Sequence, residues 1–187
     1  MRRVLLCCLL VAGCAWQRIP VSPSYQSAVG IPMTVGVQLA ETPASNVYGP
    51  MVVKHLQSWR TFDTIVYPYR EGDTVDAVMT LTVNGGWDQE SGKNTAKGFL
   101  IGLSMYTLSP FVGAGTTGRH ELVAVLSKDG QEVARYRFLE ETKISAGLLA
   151  NWNEVAPKAD QLQTSKLATG LARRLNEDWV KLSKRFE

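Results

Sequence analysis

The strand pattern that decides the fold is Asp76-Ala77-Val78-Met79-Thr80-Leu81-Thr82-Val83-Asn84. Ala77, Met79, Leu81 and Val83 fall on one face of such a strand, and the residues between them are mostly polar. This alternation is typical of a strand with one face on a core and the other face in water. We therefore expect a mostly antiparallel sheet organised around this strand.

Further strands are predicted on both sides of this central pattern. The alternating runs cover residues 34–39, 64–68, 119–127 and 132–139. Between the last two stands Lys128-Asp129-Gly130-Gln131, where Asp-Gly separates two alternating runs and indicates a tight hairpin. Gly85-Gly86 predicts a break or bulge after the central strand.

Two helices are predicted, one short and one long. The short helix opens at Gly49-Pro50, after a loop over 41–48, and its apolar stripe includes Val52 and Leu56. The long helix covers about 160–184, with leucines at every fourth position of its core face. The stretch 144–157 is predicted to be mostly loop. The elements together indicate an α+β fold, with a mostly antiparallel sheet of about five strands, one short and one long C-terminal helix packed on it, and an apolar insertion.

The amino-terminal residues have the order of a secretory signal peptide. Met1-Arg2-Arg3 carries positive charge, Val4-Leu5-Leu6-Cys7-Cys8-Leu9-Leu10 is apolar, and Val11-Ala12-Gly13-Cys14 ends in small residues and a cysteine. The apolar run is much shorter than the roughly 20 residues that a membrane-spanning helix needs. The sequence therefore predicts a segment, 1–13, that is removed rather than a permanent membrane helix.

The stretch Val11-Ala12-Gly13-Cys14 resembles the lipobox of bacterial lipoproteins, in which an aliphatic residue and two small residues precede a cysteine. The resemblance implies that the Cys14 thiol carries a diacylglycerol and that the new amino terminus is acylated. Because Ala15 rather than Asp follows the cysteine, the resemblance to Gram-negative lipoproteins favours the inner leaflet of the outer membrane, facing the periplasm. The alternative is that Cys14 is simply one of three cysteines in an apolar leader.

The remaining chain is divided into a tether and one domain. Residues 14–32 contain the modified cysteine and a proline- and serine-rich stretch whose composition favours extended, solvated chain. An alternative for part of this stretch is an edge strand. Residues 33–187 are predicted to form a single α+β domain, with the apolar insertion at about 98–118.

Composition and charge exclude several classes of function. All three cysteines, at positions 7, 8 and 14, lie in the leader or at its end, so the domain has no thiol for a disulfide or a thiolate metal site. The net charge of +3 falls to +1 when Arg2 and Arg3 leave with the leader. A nearly neutral domain lacks the electrostatic footprint of a nucleic-acid binder.

No motif for catalysis, metal or cofactor binding emerges from the remaining residues. His55 and His120 lack the spacing of a metal-binding histidine pair and are expected to be structural. A glycine-rich run, 113–118, lacks the strand and helix that flank a nucleotide-binding loop and is predicted to be a flexible turn. Trp152 is read as a plug over the core or, alternatively, a binding aromatic. Four carboxylates are expected to be solvated loop residues rather than an acid–base pair: Asp73, Asp76, Asp88 and Glu90.

Three parts of the chain resemble a group of envelope lipoproteins. The first is Val35-Gly36-Val37 together with the helix that ends Ser58-Trp59-Arg60-Thr61-Phe62-Asp63. The second is Val75–Val83. The third is Leu126–Val133, which is followed by Leu167–Leu175. These stretches resemble the small α/β domain of lipoproteins related to the curli-secretion lipoprotein, the penicillin-binding-protein activators and the amino-terminal domain of TolB. The resemblance implies a protein that acts by binding and assembly, without catalytic residues.

Residues 98–118 depart from that pattern because 21 consecutive residues carry no charge. Gly102, Pro110, Gly113 and Gly115 interrupt the run and disfavour a straight spanning helix. The stretch is read as a buried hairpin or helix, a self-association surface, or a hairpin that touches lipid. The candidate membrane or partner contacts are Phe99, Leu100, Ile101, Leu103, Met105, Tyr106, Leu108, Phe111 and Val112.

The sequence therefore predicts a membrane-anchored envelope lipoprotein that acts as a non-catalytic binding or assembly module. Its expected partners are the membrane, through the acyl chains on Cys14, and an envelope protein or a second copy of the chain. No nucleic acid, cofactor or metal is expected. The alternatives are an envelope hydrolase with an unrecognised site and a structural subunit of a ring-like envelope complex.

Overall fold

The computed structural model describes residues 17–21, 25, 30–89, 113–147 and 151–186. Within these ranges the chain forms six strands and two helices. The strands are β1 (Gln17–Arg18), β2 (Ile31–Leu39), β3 (Phe62–Val66), β4 (Ala77–Gln89), β5 (Gly113–Lys128) and β6 (Gln131–Gly147). The helices are α1 (Pro43–Ser58) and α2 (Trp152–Ser183). This content confirms the predicted α+β class.

The sheet is mixed, with the strand order β1-β6-β5-β4-β2-β3. Strand β2 pairs in parallel with both β3 and β4, so the prediction of a mostly antiparallel, five-stranded sheet is wrong in this part. The reason is that alternation fixes which face of a strand is buried but not the direction of its neighbour. Helix α1 connects β2 to β3 as a crossover, and such a connection returns the chain parallel.

The predicted hairpin is confirmed. Strand β5 ends at Lys128 and β6 begins at Gln131, so Asp129 and Gly130 alone form the turn. Both have positive φ, 52° and 77°, which is the conformation of a type I′ turn. Glycine adopts this conformation at no steric cost, and Asp is among the few other residues that tolerate it.

Helix α1 begins seven residues before the predicted start, so the loop predicted for 41–48 is wrong. Thr42 is the N-cap, and its Oγ1 accepts a hydrogen bond from the Ser45 backbone N at 3.0 Å. Pro43 occupies the first turn, where its missing N–H is not needed. The Val83 backbone N donates to Ser45 Oγ at 2.8 Å, and this bond joins the start of α1 to strand β4.

The loop predicted for 144–157 is also wrong. Strand β6 continues to Gly147, and α2 begins at Trp152. Asn151 supplies the cap, because its Oδ1 accepts from the Asn153 backbone N at 3.1 Å and its Nδ2 donates to Glu154 at 3.0 Å. Pro157 lies inside the helix and made the sequence look like a loop.

Two glycine-rich stretches are strand rather than turn. The run at 113–118, predicted to be a flexible turn, forms the start of β5. Strand β4 runs through Gly85 and Gly86 to Gln89, although Gly85 has a positive φ of 103°. At the amino-terminal side, β2 begins at Ile31, and β1 shows that the alternative of an edge strand holds for residues 17–18.

The chain divides into two compact units. The described residues of the small unit are 17–21, 87–89, 113–119, 141–147 and 151–160. Those of the large unit are 25, 30–86, 120–140 and 161–186. Strands β4, β5 and β6 and helix α2 each contribute residues to both units.

The large unit holds the main hydrophobic core. Ala77, Met79, Leu81 and Val83 of β4 are at most 3% exposed, as the alternation predicts. They pack with inward-facing residues of the other strands and with both helices, including Val52, Val53 and Leu56 of α1 and Leu167, Leu171 and Leu175 of α2. The two helices therefore contribute to the same core as one face of the sheet, and the opposite face carries the polar partners of the alternation.

The described residues of the small unit form a smaller buried cluster. Its buried members are Ile144 and Ala146 of β6 with Val155 and Ala159 of α2. Ile19, Trp87 and Trp152 pack against this cluster and remain partly exposed. Trp152 therefore packs on this cluster, as its interpretation as a plug over the core predicts.

Candidate functional site

The residues predicted to carry function from the sequence lie outside the described residues. Cys14 is one of them. The candidate membrane or partner contacts are the others: Phe99, Leu100, Ile101, Leu103, Met105, Tyr106, Leu108, Phe111 and Val112. Both assignments therefore stay predictions. The described chain shows a different candidate, a cleft in the small unit beside strand β1.

This cleft has a volume of about 690 Å³ and opens broadly to solvent. Its position follows from a pairing between residues far apart in the sequence. Gln17 pairs with Ala146 and Arg18 with Ser145 in an antiparallel ladder, which places the start of the described chain along β6. The lining residues are Gln17, Arg18, Ile19, Pro20, Gly115, Thr116, Lys143, Ile144 and Ser145.

The cleft combines cations with aliphatic side chains. Arg18 and Lys143 both line it, and both are exposed. The Lys143 ammonium lies 3.8 Å from a Glu141 carboxylate oxygen, while the Arg119 guanidinium lies closer to that carboxylate, at 3.1 Å. Exposed pairs of this kind contribute at most about 1 kcal/mol, so the lysine can exchange its partner. Cations of this kind suit an anionic ligand.

A partly buried hydrogen bond supports the small unit near its buried cluster. Trp87 Nε1 donates to Asp160 Oδ1 at 2.7 Å. The indole ring lies against Gly118, where an added Cβ would come within 2.7 Å of the ring carbons. Burial raises the pKa of the Asp160 carboxyl, and the hydrogen bond from Trp87 opposes this shift. The bond fixes α2 to β4 and leaves a carboxylate partly withdrawn from water.

A second, smaller groove lies in the large unit, at the edge strand β3. Its volume is about 540 Å³, and Arg60 and Asp63 bring opposite charges to it. Arg60 has a positive φ of 51° at the turn between α1 and β3. The other lining residues are Gly30, Gln57, Phe62 and Ile65. The mixed charge of this groove points to no particular ligand.

The two histidines of the large unit are built into its packing. His120 is fully buried, and its ring meets the Tyr48 ring edge-on at a centroid distance of 4.5 Å. His55 stacks on Trp59 at 5.2 Å, and its Nε2 lies 3.4 Å from Thr164 Oγ1. Burial lowers the pKa of both imidazoles.

Two of the candidate carboxylates, Asp73 and Asp76, are engaged with the backbone. Asp73 Oδ2 accepts from the Arg70 backbone N at 2.8 Å, and Asp76 Oδ2 accepts from the Thr34 backbone N at 2.6 Å. The Asp88 carbonyl accepts from Thr116 Oγ1 at 2.8 Å, and Glu90 lies outside the described residues. In the described ranges, no three His, Cys, Asp or Glu side chains are grouped closely enough to hold a metal ion. Neither described helix combines the length and apolar character that crossing a bilayer requires.

The cleft residues Arg18, Ile19 and Lys143 were missed as site residues in the sequence. Arg18 stands in a stretch predicted to be a tether, and Lys143 in a stretch predicted to end a strand. The only signal that relates them is the β1–β6 pairing, which joins positions more than 120 residues apart. A two-residue strand is too short to produce a detectable alternation.

Comparison with known proteins gives similar structures but no family. The chain matches no model of a known protein family, and no curated protein sequence matches it. A minor lipoprotein from Acinetobacter baumannii is similar in structure, with a TM-score of 0.48, 9% identity, and coverage of 78% of this chain and 93% of its own. A predicted lipoprotein from Caulobacter crescentus has a TM-score of 0.45, 14% identity, and coverage of 82% and 92%.

A further similar structure is rare lipoprotein B from Shewanella oneidensis, with a TM-score of 0.39, 7% identity, and coverage of 81% of this chain and 97% of its own. Likenesses this remote transfer neither a function nor the role of any residue to this chain.

Proposed function

We propose that the chain is a lipid-anchored protein of a bacterial cell envelope. The observation that carries the proposal is the order of Arg2-Arg3, the apolar run, and Val11-Ala12-Gly13-Cys14. Residues 1–13 would be removed, and Cys14 would carry a diacylglycerol and an N-acyl chain. Each buried methylene contributes about 0.8 kcal/mol, and one chain binds only marginally, so two or three chains make release negligible.

The proposed location is the inner leaflet of the outer membrane, facing the periplasm. Ala15 supports this location because an aspartate after the modified cysteine is the feature that the resemblance associates with retention in the inner membrane. The domain would then work in the space between the membranes. The absence of cysteine after position 14 means that an oxidising compartment adds no disulfide to it.

The proposed role is binding or assembly, without catalysis. His120 and His55 are engaged in aromatic packing, and Asp73 and Asp76 accept backbone hydrogen bonds. These contacts support a structural role for the groups that would otherwise be candidate catalysts. The stretch 99–112 is the proposed surface for a protein partner or lipid.

The anchor is tested by Cys14→Ser, with Cys8→Ser as the matched control. Radiolabelled palmitate should enter the parent and the control but not the Cys14→Ser protein, which should also keep residues 1–13. Equal labelling of all three proteins, or removal of residues 1–13 from Cys14→Ser as complete as from the parent, would contradict lipid attachment at Cys14.

The location is tested by Ala15→Asp, with Ala15→Ser as the control. On a density gradient, the parent and the control should band with the outer membrane, whereas Ala15→Asp should move to the inner membrane. If the parent itself bands with the inner membrane, the anchor proposal survives and the outer-membrane assignment does not.

The proposed role is tested by asking whether the protein forms a defined assembly or has an enzymatic activity that one substitution abolishes. Cross-linking from positions within 99–112 in intact cells should capture a defined partner or a second copy of the chain. A ring-like assembly would give a fixed stoichiometry by native mass measurement in detergent. A hydrolase would lose a measured activity, with folding intact, on substitution of one candidate group: Asp76, Asp88, Glu90 or His120.

A further inference from the structure

The position of β1 limits how far the small unit can stand from the membrane. Two residues separate Cys14 from Gln17, so the three steps between their Cα atoms span at most about 11 Å. Gln17 and Arg18 are hydrogen-bonded to β6 and are not free to extend. A long tether over residues 14–32 therefore does not begin at the anchor, because the folded chain starts three residues after it.

We infer that the cleft beside β1 is a docking surface for the anionic phospholipid headgroups of the membrane that holds Cys14. This inference rests on the proposed function, because it requires acyl chains on that cysteine. It goes beyond the proposal in assigning a lipid-contacting face to residues of the folded small unit rather than to 99–112.

The charged groups around the cleft suit phosphate esters. Arg18 and Lys143 line it, and Arg119 and Glu141 form the neighbouring ion pair. A guanidinium binds a phosphate with two parallel hydrogen bonds, and an ammonium acts as a compact point charge. Because Arg119 also engages the Glu141 carboxylate, that carboxylate stays neutralised when Lys143 moves to a phosphate.

Aliphatic groups beside these cations suit the boundary between headgroups and acyl chains. Val21 follows the cleft residue Pro20 and has 93% of its surface exposed. Ile19 lines the cleft and is partly exposed. An aliphatic side chain next to cations is the combination by which interfacial segments bind anionic membranes.

The distances favour lipid headgroups over a soluble anion. Screening limits interactions between exposed charges to about 10 Å at ordinary ionic strength. Arg18 is four residues from Cys14, a reach of at most about 14 Å, so the cation meets headgroups at high local concentration. A soluble phosphate would have no such advantage.

The test uses the full chain, lipid-modified at Cys14 and reconstituted into vesicles. The cysteine introduced by Val21→Cys is then the single free thiol and carries an environment-sensitive fluorophore. Vesicles contain phosphatidylcholine alone or mixed with phosphatidylglycerol, with a quencher on the headgroups of a trace lipid. Arg18→Gln and Lys143→Gln remove the cations singly and together, and Lys158→Gln removes an exposed cation of the same unit outside the cleft.

Quenching should be greater in the vesicles that contain phosphatidylglycerol and should fall with added salt. Each cleft substitution should lower the ratio of docked to undocked protein roughly fivefold at low salt, and Lys158→Gln should leave it unchanged. Equal quenching in the double variant and Lys158→Gln would overturn the inference. If inorganic phosphate lowers the quenching far more strongly than chloride of equal ionic strength does, the site binds soluble phosphate and the lipid assignment is wrong.

Failure of the inference and failure of the proposed function are distinguishable. Intact-mass measurement first establishes whether Cys14 carries its acyl chains. A lipid-modified protein whose label responds to neither headgroup charge nor the cleft substitutions keeps the anchor and loses the docking surface. Both substituted side chains are exposed, so folding should be retained. Should the double variant nevertheless unfold, the comparison of Lys143→Gln with Lys158→Gln decides the outcome.

Discussion

In the large unit the ring of Tyr69 lies on Gly36, and in the small unit the ring of Trp87 lies on Gly118. Both pairs use the missing side chain of a strand glycine to seat an aromatic ring against the backbone. An added Cβ at Gly36 would overlap the Tyr69 ring, and one at Gly118 would lie 2.7 Å from two Trp87 ring carbons. The same contact between a strand glycine and an aromatic ring therefore occurs in both units. The two units differ in the core that their described residues form.

The large unit has a continuous core to which both helices and five strands contribute. Among its described residues the small unit buries four apolar side chains, and the Trp87–Asp160 hydrogen bond lies in the same unit. Because stabilisation scales with buried apolar area, the large unit should dominate the free energy of unfolding. The small unit should open locally at a lower cost.

The largest expected effect separates the two cores with the same substitution. Val37→Ala and Val155→Ala each remove a valine that is 0% exposed. Val37→Ala should lower the global free energy of unfolding by about 2 kcal/mol, from lost transfer energy and the cavity left behind. Val155→Ala should change the global value less and accelerate amide hydrogen exchange in residues 144–147. Equal global losses would contradict the difference between the units.

The two glycine–aromatic pairs give the next largest effect. Gly36→Ala and Gly118→Ala should each cost about 1–2 kcal/mol, because the added methyl displaces a ring. Gly36→Ala should cost more because its approach is shorter. Gly86→Ala is the control, since an added Cβ there meets nothing within 4 Å. Chemical unfolding of the three variants checks the order, and a loss for Gly86→Ala as large as the others would refute the steric account.

The pH dependence should have opposite signs in the two units. His120 and His55 have lowered pKa values in the folded large unit, so the unfolded chain binds more protons below its pKa of about 6.5. Stability of that unit should fall as the pH drops from about 7 to about 5. His120→Gln should flatten this slope in urea titrations. An unchanged slope in both His120→Gln and His55→Gln would show that the histidines do not cause it.

Asp160 in the small unit behaves in the opposite sense. Its raised pKa means that the folded state holds the proton more strongly than the unfolded chain, whose pKa is about 3.8. Its contribution is therefore complete below that value and is lost as the pH rises through the folded pKa. At neutral pH burial of the carboxylate costs free energy, and its hydrogen bond from Trp87 offsets only part of that cost.

The smallest expected effect follows from the balance between the cost of burying the Asp160 carboxylate and its hydrogen bond from Trp87. Asp160→Asn keeps an acceptor for Trp87 Nε1 and removes the charge, so stability at neutral pH should change by less than about 0.5 kcal/mol. Asp160→Ala should cost about 1 kcal/mol, because the indole loses its partner. The indole N–H resonance of Trp87 should stay downfield in Asp160→Asn and shift in Asp160→Ala. Equal shifts in both variants would show that the hydrogen bond does not hold the ring.

The elements that were predicted from the sequence are those whose signals are local. The alternation of 77–83 gave the buried face of β4, Asp129-Gly130 gave the hairpin, and Leu167, Leu171 and Leu175 gave the core face of α2. Proline was the main source of error. Pro43 starts α1 and Pro157 lies inside α2, and both fall in stretches that were predicted to be loop. The parallel pairing of β2 was missed because strand direction is set by the crossover, not by alternation.

The candidate site was less accessible to sequence reasoning than the fold. Cys14 was found because its signal is a contiguous motif. Arg18 and Lys143 were not found, because a two-residue strand brings them together and leaves no periodic trace. The resemblance to curli-secretion, activator and TolB-type domains stays a prediction, since residue-class patterns do not encode topology.

The central claim is that the chain is held to an envelope membrane by acyl chains on Cys14, and mass spectrometry of the amino-terminal peptide of the native protein tests it most directly. The account predicts a peptide that begins at Cys14 and carries the added mass of a diacylglycerol and an N-acyl chain. A peptide that retains residues 1–13, or one that begins at Cys14 with an unmodified thiol, would contradict it.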